Sequence, residues 1–225
     1  MLFRSGQVLL HVDGAFGLWA RASRRRANLA RGVDRADSWA TDAHKWLNTP
    51  YDCGIALTRD AAAHRRALSV RAEYLPRGDV DGIRDPAEYT PELSRRARGI
   101  PLYAVIRELG SLGIESLVDR CCEHAAHFAD LLGRAEGVEI RNDVVLNQVL
   151  VRFRDPAGRD DDRHTDAVLE GVAREGVCFM SGTTWGGERL MRISVSNWST
   201  DRQDVEASVD SILRHHARGH TTGAT

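Results

Sequence analysis

The spacing of short apolar segments near the start of the chain constrains its fold more than any other feature. Residues Val8–Val12 predict a buried strand that runs into Asp13, and residues 38–46 predict a second strand that ends in polar side chains. The interval between them accommodates the crossover of about a dozen residues or more that parallel strands need. A third apolar segment follows at 53–60. The pattern therefore predicts an α/β fold built on a parallel sheet.

The rest of the chain predicts a long loop, connecting helices and a smaller α+β unit. Residues 76–93 are rich in Pro, Gly and Asp, a composition typical of a long loop that serves as a lid. Two helices broken at Gly110 and Gly113 come next, the second ending at Gly137, followed by alternating strand and helix signals. We expect the end of a large domain over 1–93, connecting helices and a small domain over 94–225, and a disordered tail from about residue 214.

Two helices in the last third of the chain have recognisable end signals. One has Thr165 or Asp166 near its N-cap, and Gly176 follows its last turn. The closing helix begins at Ser199 or Thr200, ahead of an acidic first turn. Between these helices, two strands are expected to pair around a Gly-Gly-Glu turn.

Composition limits the partners of the chain. The 31 Lys and Arg residues nearly balance the 32 Asp and Glu residues, so a charge of −1 predicts capture of neither nucleic acid nor an anionic membrane. No apolar run approaches the roughly 18 residues of a membrane span, and the N-terminus does not resemble a signal peptide. The spacing of the four cysteines does not resemble a disulfide framework, so we expect free thiols in a reducing cytoplasm.

A possible zinc cluster at Cys121, His124 and His127 has helical spacing but lacks a convincing fourth ligand. A helix surface explains these residues, and no metal site is predicted.

Lys45 is the only lysine in the chain. Arginine can replace a lysine that is merely a solvated charge, whereas only lysine loses its proton and adds to carbonyl groups as an amine. The alternative interpretation is that Lys45 has been retained by chance as a surface charge. Asp13 ends the preceding strand, and ligands bind open α/β sheets at the carboxyl ends of strands. A lysine for a Schiff base, a carboxylate for a ring nitrogen and the adjacent His44 for a phosphate together suit a pyridinium cofactor.

The segments His-Val-Asp-Gly-Ala-Phe-Gly and Asp-Ser-Trp-Ala-Thr-Asp-Ala-His-Lys-Trp resemble the pyridoxal-phosphate-dependent group II decarboxylases, which include the aromatic amino acid and glutamate decarboxylases. Similarity continues through Ser-Arg-Arg-Ala-Arg-Gly and Arg-Ile-Ser-Val-Ser-Asn-Trp to about residue 213. The resemblance implies the aspartate aminotransferase type fold (fold type I), with the end of the large domain and the whole small domain present. It also implies pyridoxal 5'-phosphate as cofactor, an amino acid substrate and a homodimer in the full-length form.

The resemblance implies a role for each matching residue. Lys45 would hold the cofactor as a Schiff base, and Asp13 would form a salt bridge with the pyridine nitrogen. Ala15 would lie against one face of the ring, while His44 would reach the phosphate or the substrate. Arg192 would bind the substrate α-carboxylate, because a guanidinium matches a carboxylate in a bidentate way. A structural salt bridge is the alternative for Arg192.

Three departures from the family pattern affect the functional prediction. Asp42 stands where related enzymes often have an asparagine near the phosphate, and its role is left open. Asp85 falls near the place of the loop tyrosine that protonates the product, and Tyr89 does not align with that place. The ring-stacking histidine and the phosphate-binding turn of the family precede the aspartate strand and are not found before Asp13.

We therefore expect a decarboxylase of an L-amino acid that acts through Lys45, present as a fragment of a longer enzyme. The alternatives are an aminotransferase or another lyase of the same fold and, from a different class, an inactive truncated fragment.

Overall fold

A computed structural model describes residues 9–69 and 85–218 of the chain. These residues form two compact units: the first extends to Gly110 apart from 22–24, and the second comprises 22–24 and the residues from Ser111 onward. The predicted domain boundary at residue 93 remains a prediction. None of the helices in the described ranges combines the length and apolar character needed to cross a bilayer.

The first unit contains a three-stranded sheet in the order β1-β2-β3. Strands β1 and β2 are parallel, as predicted, and short 3-10 turns connect them. Strand β3 runs antiparallel to β2, which differs from the all-parallel expectation. The connection between β2 and β3 is too short for the crossover that a parallel neighbour needs, so the chain turns back. The strands span His11–Asp13 (β1), Ser38–Asp42 (β2) and Gly54–Thr58 (β3).

The segment after β1 is tied to the end of β2. The Gly14 amide donates to the Ala40 carbonyl at 2.7 Å, and the Thr41 hydroxyl donates to the Gly14 carbonyl at 2.9 Å. A Cβ atom at Gly14 would lie 2.6 Å from Leu18 Cβ and 3.1 Å from the Ala40 oxygen. Only glycine therefore fits where the two strands end side by side.

The helices of the first unit are short. Helix α1 spans Ala43–Trp46, and helix α2 spans Ala61–Leu68. Asp60 caps α2 by accepting a hydrogen bond from the Ala63 amide at 2.8 Å. The remainder of the predicted 61–75 helix lies mostly outside the described residues, as do residues 76–84 of the predicted loop.

The long helix α3, Gly99–Gly133, contains one residue with non-helical backbone angles, Gly110 at φ 60° and ψ −174°. The predicted break at Gly110 is therefore confirmed, whereas Gly113 lies in helical backbone and the helix ends at Gly133 rather than at Gly137. Glycine tolerates this positive φ, which costs other residues strain.

The second unit is an α+β structure with a four-stranded antiparallel sheet in the order β4-β5-β7-β6. The predicted pairing of the two strands around the Gly-Gly-Glu turn is confirmed as β6 with β7. Buried apolar side chains from the strands and helices form its core, including Val118, Leu132, Val149, Phe153, Val172, Ile193 and Ile212. The elements span Val138–Ile140 (β4), Gln148–Phe153 (β5), Asp161–Glu175 (α4), Ser181–Trp185 (β6), Glu188–Ser194 (β7) and Arg202–Arg218 (α5).

Helix α4 begins one turn earlier than the sequence predicts. Its N-cap is Asp160, whose carboxylate accepts from the Arg163 amide at 3.0 Å, so the prediction of Thr165 or Asp166 is wrong. Thr165 is buried inside the helix, and its hydroxyl accepts from the Phe153 amide at 3.4 Å. A polar residue one turn into a helix can satisfy a sheet amide instead of a helix end, a contact that sequence does not reveal.

Gly176 ends α4 in the left-handed region at φ 77°, as predicted. Helix α5 starts with a reciprocal pair in which Asp201 and Asp204 each accept from the other's amide at 3.0 Å. The capping residue is therefore Asp201 rather than Ser199 or Thr200. Helix α5 continues to Arg218, so residues 214–218 of the predicted tail are helical, and those beyond lie outside the described residues.

The turn before α4 predicts a pH-dependent contribution to stability. The Asp155 carboxylate accepts from the amides of Ala157, Asp160 and Arg159 at 3.0–3.2 Å, and these bonds lower the pKa of Asp155 to about 2. A carboxyl group whose pKa is lower in the folded than in the unfolded state stabilises the fold above its unfolded pKa of about 4. We expect that stabilisation to be lost as pH falls from about 4 toward about 2.

Urea unfolding of the wild type and of Asp155→Asn at decreasing pH measures this effect. The stability difference between the two proteins should be largest near neutral pH and should shrink on acidification. Asp210→Asn, a substitution of an exposed carboxylate in α5, is the matched control. A difference that stays constant down to about pH 2 would contradict the assignment.

Candidate functional site

The candidate site lies where β1 and β2 end at the same edge of the sheet. Asp13 is the last residue of β1 and pairs in register with Ala40 of β2. Lys45 was expected at the end of the second strand, but β2 ends at Asp42, and Lys45 lies in the four-residue helix α1. The strand stops there because the chain turns back at once, and the Ala43 amide donates to the Cys53 carbonyl at 3.1 Å.

The Lys45 amine is held between a carboxylate and an aromatic ring. Its Nζ lies 2.7 Å from Asp42 Oδ2 and 4.6 Å from the centroid of the Phe16 ring. About a quarter of the side chain is exposed, at 28%. Because Phe16 follows Asp13 closely in the chain, this contact places the amine beside the segment that leaves β1.

Trp46 holds Phe16 in place beside the Lys45 amine. Its side chain is fully buried, and its indole N–H donates to the Phe16 carbonyl at 3.1 Å. The Phe16 and Trp46 rings meet edge to face at 6.2 Å. Sequence reasoning did not single out either aromatic residue. Trp46 could have been found from its position next to Lys45, because a buried aromatic residue fixes the orientation of a short helix.

Asn48 ends α1 with an unusual backbone conformation. At φ 52° it is the one non-glycine residue with positive φ among those described. Its side-chain amide donates to the carbonyls of Trp46 at 2.9 Å and Lys45 at 3.3 Å. Asparagine tolerates the left-handed region better than most residues, and these bonds help to fix the carboxyl end of the turn that carries Lys45.

Asp13 presents an exposed carboxylate at the sheet edge. One of its oxygens accepts from the Ala15 amide at 3.2 Å, and it has no cationic partner in the part of the chain that is described. Ala15, two residues further along the chain, is half-buried. The carboxylate is therefore available to a cationic ligand group.

His44 has an incompletely satisfied imidazole. Its Nδ1 is buried and has no hydrogen-bond partner among the described residues. The ring of Tyr51, which is 85% exposed, packs against the His44 ring at 4.5 Å. A buried polar atom without a hydrogen-bond partner destabilises a folded protein, so this nitrogen fits a site that receives a polar ligand.

Arg192 belongs to the second unit. It lies on β7 opposite Leu150 and Ser181, is exposed, and donates through Nε to the Ser181 hydroxyl at 3.2 Å. It forms no ion pair within residues 9–69 and 85–218, so the alternative of a structural salt bridge has no support there. Its contact with the substrate remains a prediction.

Residues near the expected loop tyrosine are part of a local turn. The Asp85 carboxylate accepts from the Ala87 amide at 3.0 Å and starts the turn Pro86–Tyr89. The Tyr89 ring packs edge to face against His64 of α2 at 5.9 Å. In this conformation, Asp85 serves as a cap.

The residues of the candidate zinc cluster lie on α3. Within the described ranges, no group of three or more His, Cys, Asp or Glu side chains is arranged to hold a metal ion. Burial raises the pKa of Cys121 to about 11, which keeps this thiol protonated at neutral pH. The four cysteines are all described and all free.

Comparison with known proteins places this geometry in context. The family model described as the pyridoxal-dependent decarboxylase conserved domain matches residues 2–154. Tyrosine decarboxylase 3 of Petroselinum crispum is 28% identical over 216 residues, covering 92% of this chain and 42% of that protein. Tryptophan decarboxylase 2 of Oryza sativa subsp. japonica is 26% identical over 218 residues, covering 95% of this chain and 44% of that protein.

The solved structures agree with the sequence comparison. An Oryza sativa TDC with PLP and tryptamine superimposes with a TM-score of 0.82 at 25% identity, over 94% of this chain and 45% of that one. Mouse CSAD has a TM-score of 0.83 at 21% identity, over 93% of this chain and 46% of that one, and shows the fold alone. The chain thus spans less than half the length of the proteins it matches.

These comparisons confirm the predicted fold class, the aspartate aminotransferase type, and pyridoxal phosphate as the cofactor of the family. The unpartnered nitrogen of His44, the unpaired carboxylate of Asp13 and the amine of Lys45 fit a cofactor with a phosphate, a ring nitrogen and an aldehyde. The match extends over well over half of the chain, and the chain belongs to the pyridoxal-dependent decarboxylase family.

Proposed function

We propose that this chain carries the lysine-bearing part of a pyridoxal-phosphate-dependent decarboxylase that acts on an L-amino acid. The observation that carries the proposal is the position of its only lysine. Lys45 lies directly after β2, and its amine contacts the segment that follows Asp13 of the parallel strand β1. Ligands bind α/β sheets at this edge. Every other Lys or Arg position in the chain is an arginine, so Lys45 carries the one side-chain amine that can react with an aldehyde.

Each residue of the site has a proposed task. Lys45 holds the cofactor covalently through Nζ, and Asp13 holds a proton on the ring nitrogen by ion pairing. Ala15 offers a small side chain against the ring, and His44 contacts the phosphate or the substrate. When bound, the cofactor supplies an electron sink for the bond that breaks at the substrate Cα.

Arg192 is proposed to bind the substrate α-carboxylate. Support comes from its exposed guanidinium, whose described contact is with a neutral hydroxyl rather than a carboxylate. A carboxylate held in this bidentate way has a defined orientation relative to the bond that breaks.

The first substrates to test are aromatic L-amino acids. Relatives that match over most of this chain include proteins named as decarboxylases of tyrosine, tryptophan and histidine, and others named as phenylacetaldehyde synthases. We further propose a homodimeric, cytoplasmic full-length form. Support for the reducing compartment comes from the four free cysteines, three of which are buried.

An aminotransferase on the same scaffold is the second candidate. The observation that favours it is Asp85, which stands near the place of the loop tyrosine and is engaged in capping a turn. If the loop supplies no proton donor for the product carbon, removal of the Cα proton by Lys45 competes with loss of the carboxylate.

Incubation of the purified chain with pyridoxal phosphate and L-tyrosine, L-tryptophan or L-histidine tests the proposal. We expect release of CO2 with formation of the matching amine, and no reaction with the D-enantiomers. Transfer of the amino group to a keto acid without CO2 release would favour the aminotransferase. Lack of cofactor attachment together with lack of any turnover would favour the inactive fragment.

A further inference from the structure

We propose that Asp42 is a positioning residue that holds the Lys45 amine as an ammonium ion and restrains its reaction with aldehydes. The inference rests on the proposed function, because it concerns the lysine that holds the cofactor. It assigns a role to the acidic residue at a position where related enzymes often have an asparagine.

The first support is that Asp42 does not perform the task its position suggests. It occupies the N-cap of α1, yet its side chain accepts no hydrogen bond from the helix amides. Asp60 and Asp160, at the equivalent positions of α2 and α4, both cap their helices. The Asp42 carboxylate instead contacts Lys45 Nζ at 2.7 Å, which is its one ionic contact in the described chain.

The second support is the shape of the enclosure. The Phe16 ring lies 4.6 Å from the same ammonium, and an aromatic face attracts a cation. Trp46 fixes Phe16 through its carbonyl and its ring edge. Both charged side chains are only about a third exposed or less, at 28% and 32%, so water screens the pair incompletely.

The chemical consequence follows from the reaction of an amine with an aldehyde. The nitrogen attacks with its lone pair, so the ammonium must first give up a proton and leave the carboxylate. Separating a partly exposed ion pair costs a fraction of a kilocalorie to about one, which corresponds to about a twofold to fivefold slower reaction. Asp42 thus slows capture of aldehydes at Lys45 while it directs Nζ toward the segment after β1.

Acetylation of the cofactor-free chain tests this role. Limiting acetic anhydride at neutral pH reacts with neutral amines, and mass spectrometry of the peptide that contains Lys45 gives its rate separately from that of the N-terminus. We expect Asp42→Asn and Asp42→Ala to raise the rate at Lys45 by about twofold to fivefold. Salt near 1 M, where the Debye length is about 3 Å, should raise the wild-type rate and leave the variants unchanged.

Asp34→Asn is the matched control, since it removes an exposed carboxylate elsewhere in the first unit. Circular dichroism of each variant separates loss of folding from loss of the ion pair. Equal rates in the wild type and Asp42→Asn would overturn the proposal, as would an equal rise in Asp34→Asn. The assay uses no cofactor, so failure of pyridoxal phosphate to attach at Lys45 would defeat the proposed function and leave this result unaffected.

Discussion

Lys45→Arg is expected to abolish borohydride-stable attachment of pyridoxal phosphate to the chain. Arginine retains the positive charge beside Asp42, but its guanidinium stays protonated at neutral pH and does not act as a nucleophilic amine. Attachment should therefore fall by about a hundredfold or more, to the level of the N-terminal amine. The measurement is reduction with sodium borohydride, digestion and mass spectrometry of the peptide that contains residue 45.

The composition of the chain provides a sharp control. Because Lys45 is the only lysine, Arg202→Lys introduces one other side-chain amine, at a position that is 73% exposed. In that variant the label should remain on Lys45. The double variant Lys45→Arg/Arg202→Lys should not be labelled above background. Equal labelling of the double variant and the wild type would show that any exposed amine suffices, and the site assignment would fail.

Trp46→Ala should cause the largest loss of stability among substitutions at the site. The side chain is fully buried and donates to the Phe16 carbonyl, so the variant creates a cavity and leaves a part-buried acceptor without its partner. Truncations of this kind cost about 3–5 kcal/mol. Urea unfolding measures the loss, and Trp46→Phe should lose less because it retains most of the packed volume.

Trp185→Ala is the matched control for this experiment. Trp185 is 67% exposed at the end of β6, and surface substitutions away from specific contacts change stability by about 0.5 kcal/mol or less. A loss in Trp46→Ala no greater than that in Trp185→Ala would contradict the anchoring role. In a correctly folded fraction of Trp46→Ala, attachment of pyridoxal phosphate should also slow, because Phe16 and Lys45 lose their common support.

Residues with strong local chemistry were predictable. The interruption at Gly110 and the end of α4 at Gly176 follow from rules that act within a few residues. The parallel pairing of the strand before Asp13 was also predicted, but that strand is His11–Asp13 and largely exposed rather than a buried Val8–Val12. Helix starts were less predictable, since several acidic and hydroxyl residues compete to cap one helix. Asp160 and Asp201 cap their helices by accepting from amides three residues further along, whereas Thr165 accepts from the Phe153 amide of β5.

The direction of β3 was mispredicted for a comparable reason. A short apolar segment has the same sequence pattern whether its strand runs parallel or antiparallel to its neighbour. The short turn after Lys45 excludes a crossover, and this turn exists because Ala43 bonds with Cys53 and Asn48 adopts a left-handed conformation.

By itself, the sequence indicated the family of the chain and the cofactor of that family. A single lysine, an aspartate after a strand and the residues around both identify the family and its cofactor, because reactivity depends on residue type. Only the tertiary structure decided how the lysine is held. The Phe16 ring and carbonyl meet the Lys45 amine and the Trp46 indole across about thirty residues of chain, and such contacts depend on how strands pair and rings pack rather than on local spacing. Asp42, by contrast, pairs with Lys45 from three residues away.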